Sequence, residues 1–410
     1  MAVEARSRAA ADPGDRRARV AVAALFLTNG ALFANLLPRY PQIKAALGLD
    51  NATYGLAVAA FPAGAIVAGL AAGVVIRRIG SAQVAVTGTI LTGLAVLVAG
   101  LSPSVWWLGV ALFLGGATDA CTDVAQNAHG LRVQRRYGRS IINSFHAVWS
   151  GGAVLGGAMA AGAIALGVPI GVHLGVSAAL FSGVALVALR FCLPRHDADS
   201  SAEPSAEGGG SRSRLRPKVS PRIAVIVTAL VLIAIGGTLV EDAGSSWAAV
   251  YLHGSLQAPA ALAATGYIAL VAAQFVGRVL GDRLVDRFGQ RAVARTGGAL
   301  VAAGMGLALA WPTVAGTIAG FAAAGLGVAT LVPAAMHEAD ELPGLRPGTG
   351  LTLVSWLMRL GFLLSPPLVG LVADATSLRV GLLVVPFAGV LVLVLAGVLH
   401  GRSGAASSNA

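Results

Sequence analysis

Residues 281–291 read Gly-Asp-Arg-Leu-Val-Asp-Arg-Phe-Gly-Gln-Arg, a charged knot set between two long apolar stretches. Each flanking stretch is long enough to cross a bilayer, which takes about 20 apolar residues. The first half of the chain holds a shorter echo, Gly73-Val-Val-Ile-Arg-Arg-Ile-Gly80, again between apolar stretches. In both, an Arg-x-Gly turn follows the second apolar run of its half. Two such knots at equivalent places imply a chain built from two parallel repeats, and repeats of this kind carry their substrate site at the interface near mid-membrane.

Working outward on the same template gives spans near 19–38, 52–75, 82–101, 105–131, 140–166 and 170–192. A second set falls near 223–251, 259–284, 292–310, 313–336, 349–373 and 379–400. Helices are required, because lipid offers backbone N–H and C=O groups no partner. Between the sets, Pro194 to Pro221 is polar, rich in Ser and Gly, and ends in a basic run. That composition describes a flexible linker. The expected divisions are a tail over 1–18, a six-helix bundle over 19–193, a linker over 194–222, a second six-helix bundle over 223–400 and a tail over 401–410. Val20 to Leu37 has the look of a secretory leader, but its long polar lead and the many later spans favour an uncleaved first helix. Ser102-Pro103-Ser104 makes a tight connection, with Trp106 and Trp107 as interface anchors.

Composition agrees with an all-α membrane protein of twelve transmembrane helices. Hydrophobic types make up 56% of the 410 residues and charged types 11%, with mean hydropathy +0.78. A soluble domain carries roughly 25% charged residues, so this chain cannot cover a water-facing surface. Its 54 glycines suit closely packed membrane helices. The net charge of +11 would suggest nucleic acid in a soluble protein, but the basic residues cluster in alternate connections. Arg16, Arg17 and Arg19 begin the series, then Arg77 and Arg78, then Arg132, Arg135, Arg136 and Arg139. Arg212 to Arg222 and Arg283 to Arg291 continue it, while the other connections carry few, such as Arg39, Lys44 and Arg379. This positive-inside pattern places both termini in the cytoplasm of a multi-pass plasma-membrane protein, with no nucleic-acid partner. Cys121 and Cys192 are the only cysteines. No disulfide framework, metal-ligand spacing or cofactor motif is expected.

Asp286-Arg287-Phe288-Gly289-Gln290-Arg291 resembles the signature loop of the major facilitator superfamily, and the resemblance extends over span number, linker and repeat. More narrowly, Gly138-Arg139 leading into Asn143-Ser144-Phe145-His146 resembles the fucose:proton symporter group and its bacterial relatives. So do Glu241-Asp242 with Ser246-Trp247 to Tyr251-Leu252, and Gly277-Arg278 with Gly281-Asp282-Arg283. The resemblance implies the major facilitator fold of two pseudo-symmetric six-helix bundles. It also implies an acid from the fourth span on the proton path. Arg77 departs from the pattern, standing where the family carries an acid, so any charge latch in that half must be altered.

Ionisable groups within a bilayer cost roughly 2.5–3.5 kcal/mol each on insertion scales, which makes them candidate functional residues. Asp119, Asp123 and Asn127 follow i, i+4, i+8 and share one helical face. Counting from Trp106 puts Asp119 about 20 Å deep. A carboxylate in such poor solvent can load and release protons near neutral pH. It can equally be a structural acid neutralised by a neighbouring helix. His146 falls at the depth of Asp123 and can share a proton with it, or serve packing alone. Arg359 stays charged and needs a carboxylate, either Asp119 or one carried by substrate. Trp356, three residues earlier, is expected on the same face to stack on substrate. Asn29, Trp149 and Gln274 complete the expected substrate contacts. Asn35, Glu241 and Asp242 are expected at an outer gate. Arg77, Arg78, Arg278, Asp282, Asp286, Arg287 and Gly289 are expected to form a cytoplasmic latch. Gly152-x-x-x-Gly156-Gly157 is similar to the antiporter motif of drug exporters but lacks its proline.

The expected function is secondary active transport of a small organic solute by alternating access in a monomer, coupled to protons. An uncoupled facilitator and a drug or metabolite exporter are the near alternatives, and a non-transporting membrane sensor is the alternative of another class. No H-E-x-x-H, G-x-S-x-G or phosphate-binding glycine loop argues for an enzyme. No repeated pore loop argues for a channel.

Overall fold

The computed structural model describes residues 13–137, 141–194, 220–343, 345 and 348–400. The expected C-terminal tail, residues 1–12 of the expected N-terminal tail, most of the linker and the Gly138-Arg139 pair lie outside the described residues, and residues 14–18 of that tail belong to α1. Among those described, twelve helices are long and apolar enough to cross a membrane. The first six are α1 (Gly14–Ala46), α2 (Asn51–Gly69), α3 (Ser81–Gly100), α4 (Val105–Tyr137), α5 (Ile142–Ala165) and α6 (Ile170–Leu189). The second six are α7 (Pro221–Ser255), α8 (Ala260–Phe288), α9 (Gln290–Ala310), α10 (Val314–Asp340), α11 (Thr349–Ala375) and α12 (Leu378–Val398). They form two six-helix bundles.

Several helices outrun the apolar stretches that announce them. α1 continues past residue 38 through a tight turn at Leu37–Arg39 and a short helix at Tyr40–Ala46, each opened by a proline in its first turn. Proline is tolerated there because the first N–H groups of a helix have no intrahelical partner. α4 runs to Tyr137 and carries Arg132, Arg135 and Arg136 on its extension. In contrast, α2 stops at Gly69 rather than 75, and Arg77 and Arg78 belong to a separate short helix, Ala72–Ile79. α11 is interrupted at Met358, between Thr349–Leu357 and Arg359–Ala375.

The two charged knots close in the same way. Gly80 and Gly289 have φ of +102° and +83°, and each donates its N–H to the carbonyl four residues back, Ile76 and Val285. That left-handed conformation needs glycine, which has no Cβ to clash. The repeat inferred from two Arg-x-Gly turns is thus a repeat of backbone geometry.

Within the first bundle α1 and α5 cross closely. A Cβ on Gly30, Gly152 or Gly156 would collide with the backbone of Trp149, Leu27 or Ala31. Small residues let membrane helices approach until backbones touch. The bundles meet where α2 crosses α11: Gly55 faces the Pro366 carbonyl, and Gly370 faces that of Asn51. Nearby, Asp374 of α11 accepts hydrogen bonds from Asn51 N (3.0 Å), Ala52 N (2.7 Å) and Asn51 Nδ2 (2.8 Å), capping α2 from the opposite bundle. Tyr54 Oη donates to the Ser246 carbonyl (2.7 Å). The Tyr54 ring also packs edge-on against Tyr40 and Trp247. The three rings are fully buried. One end of the molecule is therefore sealed between the bundles. At the other end, which carries Arg77, Arg78, Arg132 and Arg287, the same helix pair lines a cavity: Ile66 and Gly69 of α2 face Met358 and Arg359 of α11.

Candidate functional site

A central cavity of about 390 Å³ lies between the bundles, a volume suited to a small organic molecule. Each bundle contributes a polar wall organised around an amide.

In the first bundle the amide belongs to Asn29 of α1. Its Nδ2 donates to Asp119 Oδ1 of α4 (2.8 Å), and its Oδ1 accepts from Trp149 Nε1 of α5 (2.7 Å). An indole can only donate, so the amide orientation follows from its partners. Three helices are thereby joined at the cavity surface. One turn further along α4, Asn127 Nδ2 donates to Asp123 Oδ1 (3.0 Å), and Asn127 Oδ1 lies 3.1 Å from His146 Nε2. With the amide nitrogen committed to Asp123, its oxygen must accept, which puts the imidazole proton on Nε2. Asp123 and His146 are therefore linked through Asn127 rather than in direct contact.

In the second bundle the amide belongs to Gln274 of α8, which donates to Glu241 Oε2 of α7 (2.8 Å). Arg278, one turn along α8, stands 3.8 Å from the same oxygen and reaches across the cavity to Ser150 Oγ at 3.5 Å. Asp242 also lines the cavity. Its Oδ2 is buried with no hydrogen-bond partner among the described residues.

The structure rearranges several expectations. Glu241 and Asp242 do not mark an outer mouth. They lie about one turn past the midpoint of α7 (Pro221–Ser255) and line the cavity. Asn35 lies off the cavity and fully buried, accepting at Oδ1 from His173 Nε2 (2.8 Å) and Ser177 Oγ (3.2 Å). Arg359 lines the cavity, but Asp119 is taken by Asn29, and the carboxylate on which the Arg359 charge acts is Asp123. No carboxylate among the described residues stands within ion-pair distance of Arg359. Trp356 is half exposed and does not line the cavity. Trp356 belongs to the segment before the break at Met358 and Arg359 to the segment after it, so the two do not sit on one uninterrupted helix as their three-residue spacing assumes. In the expected latch, Arg278 turns inward to the cavity. Asp282, Asp286 and Arg287 are exposed beyond it, as are Arg77 and Arg78. Gly289 forms the turn already described.

Sequence reading passed over the aromatic lining. Phe33 and Phe61 stack with centroids 3.9 Å apart and planes at 20°, and both line the cavity with Tyr267 and Phe362. A phenylalanine in an apolar helix carries no signal that separates cavity from core. Ser150 was equally silent.

Comparison with known proteins is consistent with this architecture. Residues 22–336 match the Major Facilitator Superfamily model. An uncharacterised transporter, y4wD of Sinorhizobium fredii, is 31% identical over 378 residues, covering 92% of this chain and 97% of that protein. Among solved structures, the D323A mutant of the nucleoside transporter NupG superposes with TM-score 0.75 at 11% identity, over 93% of this chain and 99% of that one. FucP, crystallised in the outward conformation, superposes with TM-score 0.58 at 19% identity, over 92% and 97% of the two chains. The chain belongs to the Major Facilitator Superfamily, a family of membrane transporters.

Proposed function

We propose that the protein is a proton-coupled secondary transporter of a small organic solute, working by alternating access as a monomer in the plasma membrane. The basic end and both termini face the cytoplasm, in keeping with the charge distribution. Residues 19–193 and 223–400 act as the two moving bodies, joined by the linker over 194–222.

One observation carries the reading. The cavity between the bundles is lined by acids from each, and Asp119 of the first bundle is held by the neutral amide of Asn29, while Glu241 of the second is bonded by Gln274 with Arg278 3.8 Å away. A carboxylate held by an amide keeps its position whether or not it carries a proton, which a carboxylate clamped by an arginine does not. Asp119 is the first proton site, and Asp123 and His146, positioned by the Asn127 amide between them, are the further proton sites toward the basic end. Asn29, Trp149, Gln274 and Arg359 contact the solute. The Asp374 cap and the Tyr40, Tyr54 and Trp247 cluster supply the outer gate.

Proteoliposomes loaded with a pH-sensitive dye and challenged with sugars, organic acids and amines test this. Solute-dependent proton flux in the wild type is expected to fall at least tenfold in Asp119→Asn, the scale of about 1.4 kcal/mol lost from one step. Solute movement without a proton signal, unchanged in the variant, would establish an uncoupled facilitator instead.

A further inference from the structure

The charges lining the cavity do not balance. Four carboxylates line it, Asp119, Asp123, Glu241 and Asp242, against two guanidinium groups, Arg278 and Arg359. Arg278 stands beside Glu241, and the Arg359 charge acts on Asp123. Two carboxylates are left without a cation, and they differ in kind. Asp119 has its amide donor. Asp242 has hydroxyl donors in Ser246 and Ser365 and the like charge of Glu241 beside it, and the Ser365 hydroxyl is also engaged with the Leu239 carbonyl at 3.3 Å. No cation stands within ion-pair distance of Asp242 among the described residues, and one of its two oxygens, Oδ2, is buried without a hydrogen-bond partner.

A buried carboxylate oxygen with no donor is costly, and a donor that arrives with a positive charge relieves the cost best. Aromatic faces surround the same space, with Phe61, Trp149, Tyr267 and Phe362 among the lining residues. Such faces attract a cation through their ring quadrupoles. Resting on the transport reading above, we infer that the solute carries a single protonated amine, seated on Asp242 with its body against the aromatic wall. The two uncompensated carboxylates then divide their duties, with Asp242 taking the ammonium and Asp119 the proton. A solute whose only charge is a carboxylate would add a further negative charge to a cavity that already holds more carboxylates than guanidinium groups, and would leave Asp242 unsatisfied.

Two matched series test the inference on full-length protein in lipid nanodiscs: glucosamine, glucose and glucuronate, and benzylamine, benzyl alcohol and benzoate. Binding is read as ligand-dependent thermal stabilisation. The amine of at least one series is expected to bind at least tenfold tighter than its neutral and anionic partners. Asp242→Asn should abolish that preference, binding amine and alcohol alike, and a retained response to the alcohol shows that the variant is folded. Asp242→Glu, which keeps the charge, should retain the preference. The inference is overturned if the alcohol or the carboxylate binds the wild type as well as the amine, if no amine binds, or if Asp242→Asn keeps its selectivity. Proton flux through Asp119 is measured separately, so amine binding without flux would sink the coupling and leave the amine site standing.

Discussion

Asn29 bears two side chains at once, donating to Asp119 and accepting from Trp149. Replacing it by leucine leaves a carboxylate oxygen and an indole N–H without partners at the cavity wall, each worth about 1–3 kcal/mol where water cannot substitute. Asn29→Leu is therefore expected to lower the melting temperature of the purified transporter by several degrees and to abolish coupled transport, whereas Asn29→Gln should recover part of both. An unchanged melting temperature in Asn29→Leu, read by differential scanning fluorimetry, would show that water fills the gap. Relative height was legible at this scale, since counting about 1.5 Å per residue along each helix brings Asn29 and Asp119 to similar levels, and the two side chains meet. Facing was not. Arg359 is expected to face Asp119 or a carboxylate of the solute, whereas the protein carboxylate its charge acts on is Asp123, and spacing along one helix contains nothing about the facing of another.

The seal between α2 and α11 is a contact between backbones. Gly370 lies against the Asn51 carbonyl and Gly55 against that of Pro366, leaving no room for a Cβ at either place. Gly370→Val should hold this end apart while leaving each bundle's own packing intact. With Val58→Cys as a reporter in a background lacking Cys121 and Cys192, labelling by a membrane-impermeant maleimide from outside should rise severalfold in Gly370→Val, because Val58 is buried in the seal. Equal labelling would mean that this crossing does not control access. The helices themselves were legible from hydropathy, because a bilayer demands an apolar run of fixed length. Their polar extensions were not, since the last turns of α4 and of α7 need only continue the backbone ladder. Nor was the break at Met358, where neither proline nor glycine marks the interruption.

At the scale of the whole molecule, the same pair of helices is sealed at one end and lines a cavity at the other. α2 touches α11 at Gly55 and flanks the open space at Gly69, 14 residues along. A rise of 1.5 Å per residue makes this a lever of about 21 Å. Tilting one bundle by about 15° moves the tip of such a lever by about 5 Å, within the range of rigid-body rocking between domains. The motion that parts Gly370 from Asn51 must then bring Gly69 toward Met358 and Arg359. Arg359 is poised for this, its Nη1 lying 3.4 Å from where a Cβ on Gly69 would stand. Paired cysteines at Gly69 and Met358, in the background lacking Cys121 and Cys192, should cross-link with a short bifunctional maleimide during turnover. Transport should stop once they do, while single-cysteine controls treated alike should continue. Labelling at Val58→Cys should rise in the cross-linked protein, since closing the basic end opens the opposite one. Cross-linked protein that still transports, or whose Val58→Cys stays unreactive, would mean that the two ends move independently and that the bundles do not rock as rigid bodies about the α2 and α11 crossing.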